Sequence, residues 1–275
     1  MRYEAVAGSF YQSRKADLEK FISNAFNEAT VDRSLSRKAV SFVAPHAGYI
    51  YSGSVAAHTY AALSIAAKAR IIDVFVVIGP NHTGYGTPIS VSAEDWRTPL
   101  GIVKNDIELS EAIASHSKYI NIDEEAHAAE HSVEVQLPFL QSVVSNPMCA
   151  FICMGDQSIK ASELLADAII KGSSKLGRRV AVIASSDFNH YESAATAKRK
   201  DMPAIEALKS IDYGLFNKRI KEAGDSACGY GPITVAAIFA KNNGASEGRL
   251  LKYATSGDVT GDNASVVAYA SIIFA

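Results

Sequence analysis

Two hydrophobic patterns alternate along this chain. Short, unbroken apolar runs end at glycine, proline or polar residues, and longer segments carry apolar residues every three or four positions. The first pattern is typical of strands buried on both faces, and the second is typical of helices. The clearest run covers residues 74–78 and stops at Gly79 and Pro80. This strand-then-helix rhythm predicts an α/β fold with a mixed or parallel sheet and helices on both faces.

The two patterns also predict where the elements lie. A further helix is expected within residues 123–144, interrupted or kinked at Pro138 because proline lacks a backbone N–H. Pro232 is expected to be the first residue of its helix. Residues 88–104 are expected to pair as strands that carry Trp96 near a loop, and residues 256–263 to form a loop. Strands are predicted at residues 39–44, 74–78, 149–154, 179–185, 249–255 and 265–274, and helices at 13–29, 54–69, 109–116, 161–176, 194–208, 215–223 and 233–241.

Composition narrows the class of protein. A chain of 275 residues with 48% hydrophobic content and no linker fits one large domain, residues 1–275. The net charge of -2, without a basic stripe, argues against nucleic acid and leaves a small molecule or peptide as the expected ligand. No apolar run has the length of a membrane span and no signal peptide is recognisable, so a cytoplasmic protein without membrane association is expected. Three cysteines, an odd number, suit a reducing compartment.

Polar residues suited to metals and proton transfer follow several predicted strands directly. His46 follows the first strand, His82 follows the run at residues 74–78, and Asp187 and His190 follow the strand at 179–185. In open α/β sheets, ligands bind beyond the carboxyl ends of the strands. We therefore expect these side chains to meet at one edge of the sheet.

His46, His82 and Cys228 form the sharpest candidate constellation. Imidazole nitrogens and a thiolate are ligands that suit zinc, copper and iron. Cys228 also precedes a predicted helix N-terminus, where the helix dipole favours the thiolate. Plainer roles fit the same residues, since a histidine after a strand can be a turn residue and a cysteine beside glycines can be a small buried residue.

Asp187 and His190 are the best candidates for catalytic acid–base chemistry, because a carboxylate near an imidazole can fix its tautomer. The alternative is that Asp187 only caps the helix that follows. Glu130 and His131 are candidates to support the metal ligands from behind or to bind substrate, or else they belong to a solvated helix face. His127, in a polar run, is expected at the surface.

Taken together, five separated segments resemble the Memo family, called system protein B of the AmmeMemoRadiSam set in microbes. That family is similar in fold to the class III extradiol dioxygenases of the LigB type, which implies a single domain with a mixed, mostly parallel sheet between helical layers. The resemblance places metal ligands at His46, His82 and Cys228, with Asp187 and the acid–base residue His190 in the same pocket. The segments are residues 44–53, 79–82, 130–138, 185–190 and 228–232.

The resemblance also implies a cofactor and partners. The dioxygenases bind iron with histidines and a carboxylate, whereas a thiolate at Cys228 takes one of those places here. A softer ligand shifts the preference toward copper, zinc or thiolate-ligated iron. The resemblance therefore implies an iron or copper site with redox chemistry, not catechol cleavage, and a radical-SAM enzyme and an AMMECR-type protein as partners.

Two other functions compete with a redox metal protein. In a non-catalytic binding module, Tyr49, Tyr51, Trp96 and Tyr230 would wall a groove for a peptide, and the affinity would survive chelation of the metal. In a zinc-dependent hydrolase, a carboxylate near the metal, either Glu130 or Asp187, would activate water.

Overall fold

A mixed sheet forms the centre of the computed structural model, which describes residues 1–275. Helices cover both of its faces, so the predicted fold class is confirmed. None of the helices combines the length and apolarity needed to cross a membrane. The strands are β1 (Ser41–Ala44), β2 (Val74–Pro80), β3 (Ile89–Ser92), β4 (Trp96–Thr98), β5 (Gly101–Asn105), β6 (Ile120–Ile122), β7 (Met148–Met154), β8 (Val180–Ser185), β9 (His190–Glu192), β10 (Gly248–Thr255) and β11 (Val266–Phe274). The helices are α1 (Lys15–Asn27), α2 (Arg33–Ser36), α3 (Tyr49–Ala69), α4 (Ile107–Ala114), α5 (Leu137–Val143), α6 (Ile159–Leu176), α7 (Ala194–Lys209), α8 (Tyr213–Ala223), α9 (Tyr230–Asn242) and α10 (Gly257–Thr260).

The order of the strands decides where the site lies. The main path runs β10-β11-β1-β8-β2-β7-β3-β6, and its four central strands, β1, β8, β2 and β7, pair in parallel. Antiparallel neighbours flank them, β11 on β1 and β3 on β7. Because the central strands are parallel, the segments that follow them all leave from one edge, as the sequence predicted.

Each face of the sheet has its own core, which explains the unbroken apolar runs. In β2, Val76 and Ile78 face the layer formed by α4, α6, α7, α8 and α9. Phe75 and Val77 face the opposite layer, formed by α1, α3 and α5. All four side chains are buried, so the strand needs no polar alternation.

Helix α3 begins at Tyr49, five residues before the predicted start. Gly53 lies inside the first turns of this helix. A Cβ at this position would lie 2.7 Å from the ring of Phe21 on α1. Close packing of two helices, not a turn, therefore accounts for this glycine.

The predicted helix across residues 123–144 is wrong in its extent. Two 3₁₀ turns, Glu125–His127 and Glu134–Gln136, precede the short α5, and Pro138 lies in the first turn of α5. A proline is tolerated there because that N–H has no helical partner. Pro232, predicted as the first residue of its helix, is the third residue of α9, where the same reason applies. The predicted loop after β10 contains the short α10.

His127, predicted at the surface, and Trp96, predicted near a loop and in the wall of a groove, both lie in the core. His127 is fully buried, its Nε2 is 3.2 Å from the Ser90 carbonyl oxygen, and burial lowers the pKa of this imidazole to about 4. Trp96 is fully buried within β4, where its ring stacks on Phe151 at 4.6 Å and on the Arg2 guanidinium at 4.1 Å. Trp96 therefore presents no face to a groove.

Candidate metal site

Three imidazoles meet beyond the carboxyl edge of the sheet. His46 follows β1, His82 follows β2, and His131 comes from the segment between the two 3₁₀ turns. Their potential ligand atoms all lie within 4.8 Å of one another. His46 is buried, whereas the other two are partly exposed, so the cluster opens toward solvent on one side. Sequence analysis had placed His131 only among supporting residues.

The hydrogen bonds of Ser185 fix the tautomer of His46. The Ser185 hydroxyl donates its only hydrogen to the Ser132 carbonyl at 2.6 Å and accepts from Gln136 Nε2 at 2.7 Å. It must therefore also accept from His46 Nδ1, which lies 2.8 Å away. Nδ1 carries the hydrogen of the neutral imidazole. Nε2 of His46 therefore has a free lone pair, which faces Cys228.

Glu130 fixes His82 in the same way. This buried carboxylate accepts from His82 Nδ1 at 2.9 Å and from the backbone N–H groups of His82, His131 and Ser132. Burial alone would raise the pKa of the Glu130 carboxyl, but the hydrogen bonds from the His82 side chain and from the backbone amides lower it to about 2. The carboxylate holds the Nδ1 hydrogen of His82 and leaves Nε2 free, as in metal sites where a carboxylate orients a histidine ligand.

Cys228 contacts one member of the cluster, His46. Its Sγ lies 3.1 Å from His46 Nε2 and accepts from the Asp187 backbone N–H at 3.3 Å. A Cβ at Gly229 would overlap the Ser185 carbonyl oxygen, so a glycine is required for this close approach. Burial, then the charge of Asp187, raises the pKa of the Cys228 thiol well above its usual value. Without a metal, the thiol is protonated and its hydrogen is shared with His46 Nε2.

Asp187 and His190 lie beside this group. The Asp187 carboxylate accepts from the His46 N–H at 2.9 Å, and its other oxygen is 4.0 Å from His46 Nε2. Burial raises the pKa of this carboxyl to about 7, against the lowering effect of the His46 and Ala47 amides. His190 is half-buried, and its Nδ1 donates to the Ser226 carbonyl oxygen at 3.1 Å.

Burial of the His46 imidazole, and then the charges of His131, His82 and His190, lower the pKa of His46 well below the usual range.

The aromatic residues predicted to wall one groove are dispersed. Tyr49 is buried and donates its hydroxyl to the Val135 carbonyl at 2.7 Å, so it belongs to the core, as Trp96 does. Tyr51 lines a cavity of about 390 Å³. Tyr230 lines a different cavity of about 660 Å³. The four side chains therefore form no common binding wall.

A sheet edge that gathers histidines with free nitrogens beside a thiol defines an α/β protein with a candidate metal site. The chain belongs to the Memo family, since residues 2–273 match the family described as "Memo-like protein". It is 44% identical over 278 residues to a "MEMO1 family protein" of Methanosarcina mazei, covering 99% of this chain and 98% of the relative. It is also 44% identical to "MEMO1 family protein PAE0818" of Pyrobaculum aerophilum, covering 100% and 99%, respectively. A third relative, "MEMO1 family protein MJ0403" of Methanocaldococcus jannaschii, is 39% identical over 99% of this chain and 98% of its own length.

Sequence reasoning missed the network that orients the histidines. Ser185 and Gln136 carried no signal of their own, because a serine and a glutamine acquire this role only through contacts between distant segments. Glu130 and His131 did carry a signal, since a carboxylate directly followed by a histidine comes between predicted elements. The structure shows that this pair supports the cluster and does not lie on a solvated helix face.

Proposed function

We propose that this chain is a redox metal protein in which His46, His82 and Cys228 hold iron or copper. One observation carries the proposal: hydrogen bonds at Nδ1 orient His46 and His82 so that their Nε2 atoms are the ones available to a metal, and a thiol lies 3.1 Å from Nε2 of His46. Unprotonated imidazole and thiolate are the ligand forms that bind first-row transition metals. The donor set present therefore fits the metal that the family resemblance implies.

His131 adds a fourth donor to the proposed site. One of its ring nitrogens belongs to the group of potential ligand atoms in the histidine cluster. Its Nδ1 lies 3.3 Å from the Glu130 carboxylate. Two imidazoles and a thiolate leave room for His131 or an external molecule to complete the coordination. A soft sulfur ligand favours copper or thiolate-ligated iron over a hard cation such as magnesium.

When bound, such a metal supplies one-electron and Lewis-acid chemistry, and the surrounding residues manage protons. Asp187, with a pKa of about 7, holds or releases a proton near neutral pH beside His46. His190 presents its Nε2 while Nδ1 is held by Ser226. Glu130 orients histidines and is a poor base, because its hydrogen bonds lower its pKa to about 2.

Zinc-dependent hydrolysis is the second candidate, and one observation favours it. The buried Asp187 carboxyl, with a pKa raised to about 7, has the value expected of a general base that activates water. Glu130 no longer fits that role, for the reason given above. Bound zinc, with no response to reductants, would select this candidate over the redox protein.

Elemental analysis of protein purified without oxygen or chelator tests the proposal. We expect about one iron or copper per chain, lost in His82→Ala and Cys228→Ser variants that remain folded by circular dichroism. His116→Ala and Cys153→Ala are the matched controls, because His116 pairs with Asp167 on the surface and Cys153 is buried in β7. Metal retained in both site variants would contradict the ligand assignment.

A further inference from the structure

The segment that carries Cys228, residues 224–228, is bound to the rest of the fold along its length. The Gly224 carbonyl accepts from Lys200 Nζ at 3.1 Å. Ser226 accepts two hydrogen bonds from His190: its hydroxyl accepts from the backbone N–H at 2.8 Å, and its carbonyl accepts from Nδ1 at 3.1 Å. The Cys228 N–H donates to the Asp187 carbonyl at 3.2 Å. The position of this segment, called here the Cys228 loop, therefore sets the places of both Cys228 and His190.

The remaining anchor of the Cys228 loop is a pair of carboxyl groups. Asp201 on α7 is fully buried, and its oxygens accept from the Asn189 N–H at 3.2 Å and the Tyr253 hydroxyl at 2.6 Å. Asp225 of the Cys228 loop lies within hydrogen-bonding reach of the same carboxyl, close enough to raise its pKa. One oxygen of Asp225 accepts from the Ala227 N–H at 3.1 Å, while the other is buried with no N–H or O–H donor.

Two carboxyl groups can form a hydrogen bond only if one of them carries a proton. A shared proton also gives the buried Asp225 oxygen the donor that it lacks. We propose that Asp201 and Asp225 share one proton at neutral pH, and that this bond positions the Cys228 loop so that Cys228 and His190 face His46. We call this hydrogen bond between Asp201 and Asp225 the clasp. Its role in placing Cys228 and His190 rests on the proposed metal site, but its existence does not.

The surroundings favour the protonated pair. Burial, and then the charge and hydrogen bond of Asp225, raise the pKa of Asp201 to about 8. Asp258 lies close enough to Tyr253 to raise the pKa of that phenol, so it adds negative charge nearby. The nearby cation, Lys200, is already paired with Glu192 at 2.8 Å. No free positive charge therefore compensates a second carboxylate.

Asparagine is an informative replacement for Asp201. Its oxygen can still accept from Asn189, and its amide can donate to Asp225 without a titrating proton. Asp201→Asn should therefore keep the clasp closed at every pH, whereas Asp201→Ala should open it. Asp201 and Asp225 are positioning residues, since neither touches the histidine cluster.

The shared proton predicts a distinctive pH dependence of stability. Between the pKa of a free aspartate, about 4, and the folded value of about 8, the folded state binds one proton more than the unfolded state. The pair therefore stabilises the folded state at low pH, and this stabilisation is lost as the pH rises. The unfolding constant should increase about tenfold per pH unit up to about pH 8. Asp201→Asn should lack this component.

The first test compares urea unfolding of the full chain, treated with chelator, from pH 6 to 9. The ratio of unfolding constants, wild type over Asp201→Asn, should rise about tenfold per pH unit up to about pH 8 and then level. Using a ratio cancels the titration of the buried histidines. Glu206→Gln, an exposed carboxylate on the same helix, should give a constant ratio. A constant ratio for Asp201→Asn would overturn the shared proton.

The second test measures the positioning role through thiol reactivity at pH 7 in the same metal-free protein. Cys149 and Cys153 are fully buried, so the folded chain should react with a thiol reagent at Cys228 alone. Asp201→Ala should react about tenfold faster than wild type, the effect of one lost buried hydrogen bond, and Asp201→Asn should react at the wild-type rate. Equal rates in all three proteins would overturn the positioning role. Neither test requires bound metal, so failure of the metal proposal would be seen separately.

Discussion

Replacing Glu134 with glutamine should destabilise the fold strongly. This carboxylate is fully buried and accepts four hydrogen bonds, from Arg2 Nη1 at 2.6 Å, Ala5 N at 2.9 Å, Val6 N at 3.1 Å and the Tyr11 hydroxyl at 2.5 Å. All four donors come from the first eleven residues. Glu134 therefore fixes the N-terminal segment against the rest of the protein.

The magnitude follows from the burial of both charges. The Arg2 side chain is only 5% exposed, so Glu134→Gln would leave its guanidinium buried without a counter-charge. Breaking such a pair on one side typically costs about 3–5 kcal/mol. A glutamine oxygen can still accept some of the backbone N–H groups, which places the expected loss near the lower end, about 3 kcal/mol.

Urea denaturation of four proteins measures this effect: wild type, Glu134→Gln, Arg2→Met and the double variant. The double variant should be more stable than the sum of the two single losses predicts, because it leaves no unpaired buried charge. Methionine keeps an apolar stem against Trp96, which contacts the guanidinium at 4.1 Å. A loss below about 1 kcal/mol in Glu134→Gln, or strict additivity, would refute the reasoning.

Three further predictions concern the site and the core. Glu130→Gln should weaken metal affinity by about 10–100-fold, measured by competition with a chelator, because His82 loses the carboxylate that orients it. Metal affinity should fall as the pH is lowered, by about tenfold per pH unit for each proton displaced, because the Cys228 thiol must lose its hydrogen. Phe139→Ala should cost about 3–5 kcal/mol in thermal or urea unfolding, because its ring is fully buried and stacks on Tyr60 at 5.4 Å.

Matched controls separate these effects from general damage. Glu124→Gln removes a carboxylate that binds Ser92 and Ala93 instead of a histidine, so it should leave metal affinity unchanged. An equal loss in Glu124→Gln and Glu130→Gln would contradict the orienting role. A pH-independent metal affinity would contradict thiolate ligation, and a loss below about 1 kcal/mol in Phe139→Ala would contradict its place in the core.

The sequence predicted the fold class and the edge of the sheet that carries the site. This succeeded because strands buried on both faces, such as β2, leave an unbroken apolar run, and because parallel strands place their following loops together. His46 and His82 could be located from these two facts alone.

The errors share a physical cause, which is that hydrophobic patterns do not report on partners. His127 was predicted at the surface but lies in the core, where Glu134 is also buried. The partners that make such burial possible are distant in sequence, since Arg2 lies 132 residues from Glu134. Pro138 was expected to interrupt or kink a helix, but it lies in the first turn of α5. The proposed pairing of Asp201 with Asp225 was equally invisible, because it depends on the contact of α7 with the Cys228 loop, where Lys200 binds the Gly224 carbonyl.

Anomalous diffraction from crystals of the protein grown with the metal that it retains on purification tests the central claim most directly. Data collected on both sides of the absorption edge of that metal identify the element and its position together. The account predicts one strong peak among His46 Nε2, His82 Nε2 and Cys228 Sγ, at the edge of iron or copper. A peak elsewhere in the molecule, or none at this cluster in crystals that contain metal, would contradict it.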